Sequence, residues 1–282
     1  MPPSSRLDSI TALYDARSNT YDENQVHVNQ AQDYLVWADL QPGQDVLDLA
    51  CGTGLVSLGA KSIVGDSGVV IGIDISTGML DEGRRKAEQA GLVVTFLEGN
   101  IQQVDELHLP QGSPARFDVI TCASALILLD DPVDALRRWK PLLKPGGKVV
   151  TDVQTRDANL IMNIFRHVSD RLGMSVLWDS GAARYETMND LGTVVRDAGY
   201  EVDKLFETDA YATTKYELDE AERIFDKAVE KEMFAQFGNV EGGVRERAKK
   251  VFVQRMNELS SEGREYLMEE TRFWAVVASV PT

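Results

Sequence analysis

Cysteine, histidine and long apolar runs are all scarce in this chain of 282 residues. Its 2 cysteines, Cys51 and Cys122, cannot form a disulfide framework, which favours a reducing compartment and predicts a cytoplasmic protein. The 3 histidines lack metal-ligand spacing, so no metal site is predicted. No window approaches the ~18 consecutive apolar residues of a membrane span, and residues 1–7 lack the apolar core of a signal peptide. These absences exclude a disulfide scaffold and predict no membrane insertion.

Positive charge is also limited, because 29 Lys and Arg residues stand against 45 Asp and Glu residues, a net charge of −16. Nucleic-acid affinity depends on clustered Lys and Arg, so no nucleic-acid partner is expected. The remaining composition, 43% hydrophobic and 26% charged, is that of an ordinary globular protein. At roughly 150 residues per domain, the length predicts one or two domains.

Five short apolar runs alternate with amphipathic stretches through the first half of the chain. Such runs are typical of parallel strands buried on both faces, with helices as crossovers. Asp131 followed by Pro132 predicts the start of one helix, and residues 144–147 (Lys-Pro-Gly-Gly) predict the turn from its end into the fifth strand. The sequence therefore predicts an open α/β sheet. The five runs are 45–50, 69–75, 93–97, 117–123 and 148–153.

The remaining segments flank this sheet. Residues 1–40 are predicted to be helical and to precede a domain of residues 41–282. Strand patterns at 200–206 and 272–280 are separated by two strong helical patterns, which predicts a helical insertion at about 212–270. The insertion could cover the sheet or form a dimerisation surface, so a monomer and a homodimer both remain open.

A glycine-rich loop follows the first strand, in residues 46–54 (Val-Leu-Asp-Leu-Ala-Cys-Gly-Thr-Gly). Gly52 and Gly54 lack the Cβ atoms that would keep a ligand away from the backbone. The helix predicted to follow presents free N–H groups suited to a carboxylate or a phosphate. Asp74, at the end of the second strand, can accept both hydroxyls of a ribose. Two ligand classes fit this pattern, a dinucleotide and S-adenosylmethionine.

Two residues distinguish these ligands. The dinucleotide fingerprint wants Gly-x-Gly-x-x-Gly/Ala, but Ser57 stands at the third position. S-adenosylmethionine has a ribose and no pyrophosphate, so the third glycine is not required. Asp48 adds a carboxylate near the loop, where an amino group would be favoured and a pyrophosphate would not. The sequence therefore favours S-adenosylmethionine and disfavours a nicotinamide-dependent oxidoreductase.

Residues 46–54 resemble motif I of the class I S-adenosylmethionine-dependent methyltransferases. The form is the one common among small-molecule enzymes similar to the ubiquinone/menaquinone C-methyltransferases and secondary-metabolite methyltransferases. Further segments follow in the family's order. Residues 72–76 (Gly-Ile-Asp-Ile-Ser) resemble motif II, 97–101 (Leu-Glu-Gly-Asn-Ile) the segment beside adenine, 117–122 (Phe-Asp-Val-Ile-Thr-Cys) motif IV, and 142–147 (Leu-Leu-Lys-Pro-Gly-Gly) the signature before the fifth strand.

This resemblance implies a Rossmann-like, seven-stranded, mostly parallel sheet with an antiparallel last strand, an N-terminal lid at residues 1–40, and the insertion near 212–270. It implies S-adenosyl-L-methionine as cofactor and S-adenosyl-L-homocysteine as product. Asp74 would hold the ribose, Met79 would lie beside the adenine, and Asp48 would help hold the methionine portion. Asn100 stands where many relatives have Asp, and its carbonyl could accept the adenine amino group. The implied cofactor contacts are Tyr21, Asp48, Ala50, Cys51, Gly52, Thr53, Gly54, Asp74, Ile75, Met79, Asn100, Ile101, Cys122 and Ala123.

Few side chains are candidates for the acceptor side. His167 lies on the helix predicted after the fifth strand, where relatives often build the acceptor pocket, and is the candidate general base. Tyr14, His27 and Trp178 are candidate acceptor contacts. Cys51 is interpreted as a small packing residue rather than a nucleophile.

An activated sulfonium requires an acceptor held in line rather than a side-chain nucleophile, which suits a chain without an evident catalytic triad. The prediction is an enzyme that transfers a methyl group from S-adenosylmethionine to a small, fairly apolar O-, N-, S- or C-acceptor, such as a secondary metabolite or a quinone-like compound. The alternative is a catalytically silent S-adenosylmethionine-binding protein that acts through protein–protein contacts. A nucleic-acid methyltransferase is disfavoured by the charge and by residues 122–125 (Cys-Ala-Ser-Ala), where an Asn/Asp-Pro-Pro-Tyr/Phe element would stand.

Overall fold

The computed structural model describes residues 6–174, 184–260 and 263–281. The α-helices are α1 (Arg6–Arg17), α2 (Gln25–Ala38), α3 (Leu55–Val64), α4 (Thr77–Ala90), α5 (Pro132–Trp139), α6 (Leu160–Leu172), α7 (Met188–Asp197), α8 (Ala221–Ala228) and α9 (Val244–Leu259). The strands are β1 (Val46–Leu49), β2 (Val70–Asp74), β3 (Thr95–Glu98), β4 (Phe117–Cys122), β5 (Leu143–Gln154), β6 (Glu201–Glu207), β7 (Ala212–Glu217), β8 (Tyr266–Thr271) and β9 (Phe273–Ser279).

The described residues divide into two compact units. The first contains the described parts of Met1–Gln154, Arg184–Thr208 and Phe273–Thr282, and the second contains the described parts of Thr155–Ala183 and Asp209–Arg272. The chain therefore passes from the first unit into the second twice, once after β5 and once after β6. Among the described residues, no helix combines the length and the apolar character needed to cross a membrane.

The first unit is built on a sheet with the strand order β3-β2-β1-β4-β5-β9-β6. β1 to β5 run parallel, so that Val46 lies opposite both Val70 and Val119. β9 runs antiparallel to β5 and to β6. Every residue of β1 and β2 is buried, which explains why these strands read as continuous apolar runs. The predicted fold class, a Rossmann-like seven-stranded sheet with an antiparallel last strand, is confirmed.

Local signals set the helix starts in this unit. The Ser76 side chain accepts the N–H of Met79 at 3.1 Å and so caps α4. Asp131 caps α5 in the same way, and Pro132 follows it in the first turn, as predicted. The turn predicted at residues 144–147 lies inside β5, where Gly146 has a φ of 73°. That strand begins at Leu143, opposite Phe117, and its register with β4 shifts before the next pair forms.

Three chain segments of the first unit meet at one end of the sheet. Gln154, the last residue of β5, pairs with Phe273, the first residue of β9. The Phe273 carbonyl accepts the N–H of Thr208 at 2.9 Å, and the Phe273 N–H donates to Thr208 Oγ1 at 3.0 Å. The chain thus leaves the sheet after 154 and after 208, and returns at 273, within one hydrogen-bonded cluster.

The second unit combines an aromatic core with a short antiparallel ribbon. Phe165 on α6 stacks on Phe234 with ring centroids 4.1 Å apart, while Phe225 and Phe252 lie 5.7 and 5.0 Å from the same ring. The ribbon pairs β7 with β8. Helices were predicted in this segment, and α8 and α9 are present. The two strands were not predicted, because most residues of β7 are exposed or half-buried and give no clear apolar alternation.

Candidate active site

The glycine-rich loop connects β1 to α3. Ala50, Gly52 and Gly54 all have positive φ angles, of 53°, 54° and 78°. A Cβ atom at Gly52 would meet nothing within 4 Å, whereas one at Gly54 would lie 2.8 Å from the Cζ atom of Phe96. Gly52 therefore leaves open space beside the backbone for a ligand, while Gly54 allows the loop to pack against Phe96. The sequence predicts that both glycines let a ligand approach the backbone.

Asp74 holds the glycine loop from the end of β2. Its carboxylate accepts the N–H of Gly52 at 2.8 Å and the N–H of Ser76 at 2.9 Å. Burial raises the pKa of Asp74, although these backbone N–H groups act in the opposite direction. Asp74 also lines the cavity described next, so its carboxylate is available to hydroxyl donors of a ligand there.

A cavity of about 700 Å³, counting its opening to solvent, lies at the carboxyl ends of β1, β2 and β4. This position, at the strand ends of an open α/β sheet, is where such folds bind their ligands. Ten of the residues predicted for the cofactor or acceptor line it: Tyr14, Tyr21, Ala50, Gly52, Asp74, Ile75, Met79, Asn100, Ile101 and Ala123. Its other lining residues were not predicted: Leu7, Ile10, Gly99, Gln102, Ser124, Ala125, Leu128 and Leu129.

Asp48 has a different environment from the one predicted. Its carboxylate is buried and accepts the hydroxyls of Ser57 at 2.5 Å and of Thr121 at 2.7 Å. Burial raises its pKa to about 6, against the effect of these two hydrogen bonds. Asp48 does not line the cavity, and it ties α3 and β4 to β1. The geometry therefore gives no direct support for its predicted contact with the methionine portion.

Four other predicted contacts, Cys51, Thr53, Gly54 and Cys122, do not line the cavity either. Cys51 is buried in a cluster with Leu80, Ala87 and Phe96, and burial raises the pKa of its thiol. The Cys122 side chain is fully buried, and its carbonyl accepts the Thr151 hydroxyl at 2.9 Å. Cys51 thus has the packing environment that the sequence suggested, and neither thiol is activated as a nucleophile.

The N-terminal segment contributes Leu7, Ile10, Tyr14 and Tyr21 to the cavity lining. Two carboxylates fasten this segment to the loops that carry the rest of the lining. Asp15 accepts the Ser76 hydroxyl at 2.5 Å. Asp22 accepts the Thr53 hydroxyl at 2.6 Å and the Lys86 ammonium at 2.5 Å.

The histidines have no place in the cavity lining. The His27 ring stacks on Tyr21, with centroids 4.2 Å apart and planes 3° from parallel, and burial lowers its pKa to about 4. His167 lies on α6 in the second unit. Trp178 lies outside the described residues. Across residues 6–174, 184–260 and 263–281, no group of three or more His, Cys, Asp or Glu side chains is arranged to hold a metal ion.

A buried polar network, which the sequence did not reveal, supports the cavity wall formed by Ser124. Asp152 on β5 is fully buried and accepts the Ser124 N–H at 2.7 Å and the Gln30 amide at 2.8 Å. The Tyr34 hydroxyl donates to the same carboxylate, and Ser124 Oγ donates to Gln30 Oε1 at 2.8 Å. Ser124 is held at a φ of 56°, a conformation that a non-glycine residue adopts only when its surroundings impose it.

The chain is similar to a known protein family and to individual proteins within it. A family model described as a methyltransferase domain matches residues 40–199. The chain is 32% identical over 208 residues to the ubiquinone/menaquinone biosynthesis C-methyltransferase UbiE of Shewanella frigidimarina, which covers 68% of this chain and 80% of that protein. It is 35% identical over 152 residues to aklanonic acid methyltransferase DauC of Streptomyces sp. strain C5, which covers 53% of this chain and 66% of that protein. The chain thus spans just under two thirds of the latter.

The fold also matches a solved structure, Haemonchus contortus phosphoethanolamine N-methyltransferase 2 in complex with S-adenosyl-L-methionine. The TM-score is 0.51 at 16% identity, covering 90% of this chain and 53% of that one. At this identity the match shows a shared fold alone. The family model and the UbiE relative identify the chain as a member of the class I S-adenosylmethionine-dependent methyltransferases.

Proposed function

We propose that this chain transfers a methyl group from S-adenosylmethionine to a small, fairly apolar acceptor through an O, N, S or C atom. The observation that carries the proposal is the cavity at the strand ends, where Asp74 and the open side of Gly52 share one space with apolar side chains. The polar part suits a nucleoside with hydroxyl donors, and the apolar part suits an uncharged acceptor.

Residues of the cavity lining would hold the cofactor. Asp74 would accept the ribose hydroxyls, because it keeps acceptor capacity beyond its two backbone N–H bonds. Met79 and Ile101 would flank the adenine. The Asn100 carbonyl already accepts the Gln102 N–H at 3.0 Å, and its remaining lone pair could take the adenine amino group.

The apolar part of the cavity lining and the names of the relatives support the proposed class of acceptor. Leu7, Ile10, Leu128 and Leu129 would contact an apolar acceptor. The relatives are named for ubiquinone/menaquinone biosynthesis and for aklanonic acid, which are small molecules, and this favours a quinone-like compound or a secondary metabolite here. Residues 1–40 would act as a lid.

The proposed reaction needs no nucleophilic side chain. S-adenosylmethionine supplies a methyl group that is already activated on a sulfonium. The protein's contribution is to orient the acceptor and exclude water, which can lower a barrier by ~7–11 kcal/mol in favourable cases. Both buried cysteines remain thiols, because burial raises their pKa values. His167, the predicted general base, does not line this cavity, so the proposal gives it no role in removing a proton from the acceptor.

Calorimetric titration with S-adenosylhomocysteine tests the cofactor site, and radiolabelled S-adenosylmethionine mixed with a metabolite extract tests transfer. Asp74→Ala should weaken cofactor binding at least about tenfold, the loss expected for a charge-assisted hydrogen bond. Asp66→Ala, an exposed carboxylate between α3 and β2, is the matched control. Absence of saturable binding would rule out the proposal, and binding without any labelled product would favour the catalytically silent alternative.

A further inference from the structure

A second cavity lies wholly within the second unit, apart from the cofactor chemistry. It has a volume of about 1240 Å³, counting the space open to solvent, and is bordered by α6, β7, α8 and β8. One part of its lining is apolar, with Ile161, Met162, Ile224, Met233 and Phe234. Phe234 belongs to the aromatic core of this unit, so the apolar wall is anchored on rigid packing.

The other part of the lining is basic, in a chain whose net charge is −16. Arg223 and Lys227 lie one turn apart on α8, and Lys231 follows four residues later. Lys231 lies beyond the end of α8, and Glu220 pairs with Arg223. A fourth cation, Lys215, comes from β7. The chain therefore places four cations around an apolar cavity.

Two of these four cations form close ion pairs with carboxylates. Glu220 forms an ion pair with Arg223, and Lys215 pairs with Glu217 at 2.6 Å. Glu269 accepts the N–H of Leu160 at 2.6 Å, where α6 begins, and the nearby Lys231 ammonium opposes the rise in pKa that burial gives this carboxyl.

Lys227 and Lys231 are left without a carboxylate partner within 4.0 Å in the part of the chain that the structure describes. Both are exposed lysines on the cavity edge, next to the apolar wall. Two ammonium groups that form no close ion pair and lie beside an apolar surface are complementary to a molecule with an apolar body and one anionic group.

We propose that this cavity is a binding site for small amphipathic carboxylates, whose carboxylate pairs with Lys227 and Lys231 and whose apolar body lies against Ile224, Met233 and Phe234. An apolar compound alone would leave both ammonium groups unpaired, and a fully polar anion would not use the apolar wall. The site does not depend on methyl transfer.

The test uses the full chain and two probe pairs, naphthoate with naphthalenemethanol and decanoate with decanol, in isothermal titration. The carboxylates should bind saturably with one site per chain, at least about tenfold more tightly than their alcohols. Their affinity should fall as salt is raised, since the two ammonium groups are exposed. Lys227→Gln/Lys231→Gln should weaken the carboxylates at least about tenfold and leave the alcohols unchanged, while Lys227→Arg/Lys231→Arg should retain binding.

The matched control is Lys204→Gln/Lys250→Gln, which removes two exposed lysines from β6 and α9 that do not line the cavity. Thermal melting of each variant verifies that it is folded. Three results would overturn the proposal: neither carboxylate binding at millimolar concentration, acid and alcohol binding equally, or the cavity variant and the control binding alike. Equal binding by the cavity variant and the control would mean that the probes bind elsewhere, for example in the cavity of the first unit.

Discussion

The backbone N–H of Ser124 donates to the carboxylate of Asp152 at 2.7 Å, across the end of the parallel sheet. Ser124 lines the cavity at the strand ends, and Asp152 is completely buried on the neighbouring strand. Gln30 and Tyr34 on α2 donate to the same carboxylate. One charged group therefore fixes a cavity wall and an N-terminal helix together, and the wall should move when that charge is removed.

The charge of Asp152 should also appear in the pH dependence of stability. Burial raises its pKa from 3.8 to about 6, so the native state binds the proton more tightly than the unfolded chain. The contribution of this group to the free energy of unfolding is therefore largest at low pH and is lost as the pH rises to about 6, by about 3 kcal/mol in order of magnitude. Urea unfolding of Asp152→Asn between pH 4 and pH 7 should show a smaller fall than the wild-type chain. Asp66→Asn, at an exposed site, should follow the wild type, and equal falls in all three proteins would contradict the assignment.

Ser57 should prove structural rather than a cofactor contact. Its hydroxyl is one of two that satisfy the buried carboxylate of Asp48. Ser57→Ala leaves that charge underpaired and should lower the free energy of unfolding by about 2–3 kcal/mol, with a melting temperature lower by several degrees. Ser62→Ala on the same helix removes an exposed hydroxyl and should change stability little. Equal melting temperatures for the two variants would show that the hydrogen bond between Ser57 and Asp48 does not stabilise the fold.

The two loop glycines should respond differently to the same substitution. Gly52→Ala adds a methyl group in open space at a φ of 54°, which should cost about 1–2 kcal/mol but weaken cofactor binding at least about tenfold. Gly54→Ala places its methyl group 2.8 Å from Phe96 and should destabilise the fold more strongly. Melting curves and titration with S-adenosylhomocysteine separate the two effects. Normal cofactor affinity in Gly52→Ala would show that the ligand does not approach this backbone.

The N-terminal carboxylates should control how quickly the cofactor leaves. Asp15 and Asp22 hold the segment that carries Tyr14 and Tyr21 against the cavity. Charge-assisted hydrogen bonds contribute about 1.5–3 kcal/mol, so Asp15→Asn/Asp22→Asn should accelerate dissociation of S-adenosylhomocysteine by about tenfold or more. Stopped-flow fluorescence measures this rate, with Asp66→Asn as the control. An unchanged rate would mean that release does not require this segment to open.

The sequence predicts the parts of the site whose signals are local. The strand runs, the glycine loop and Asp74 lie close together in sequence, and each reflects one backbone requirement. The packing of Gly54 against Phe96 was not predicted, because Phe96 lies on β3 and no local pattern connects the two residues. The partners of Asp48 are hidden in the same way, since Thr121 belongs to β4.

Other features escape prediction because they depend on packing between distant segments. Leu128 and Leu129 follow β4 as ordinary apolar residues, and only the fold turns them toward the cavity. β7 and β8 pair across about 50 residues of sequence that lie between Glu217 and Tyr266, too far apart for a hairpin signal. The positive φ of Ser124 is imposed by Asp152 and Gln30, and no local pattern in residues 122–125 predicts it.

The hydrogen-bonded cluster of Gln154, Thr208 and Phe273 has an evolutionary consequence. Because the chain departs from and rejoins the sheet at neighbouring positions, the segment between 209 and 272 can change in length while β5, β9 and β6 keep their register, provided that the replacement still covers Phe165 on α6. Loop-closure entropy rises only slowly with length, so such exchanges would carry a small thermodynamic penalty. The junction lets one catalytic scaffold be paired with many different inserts over the history of a lineage.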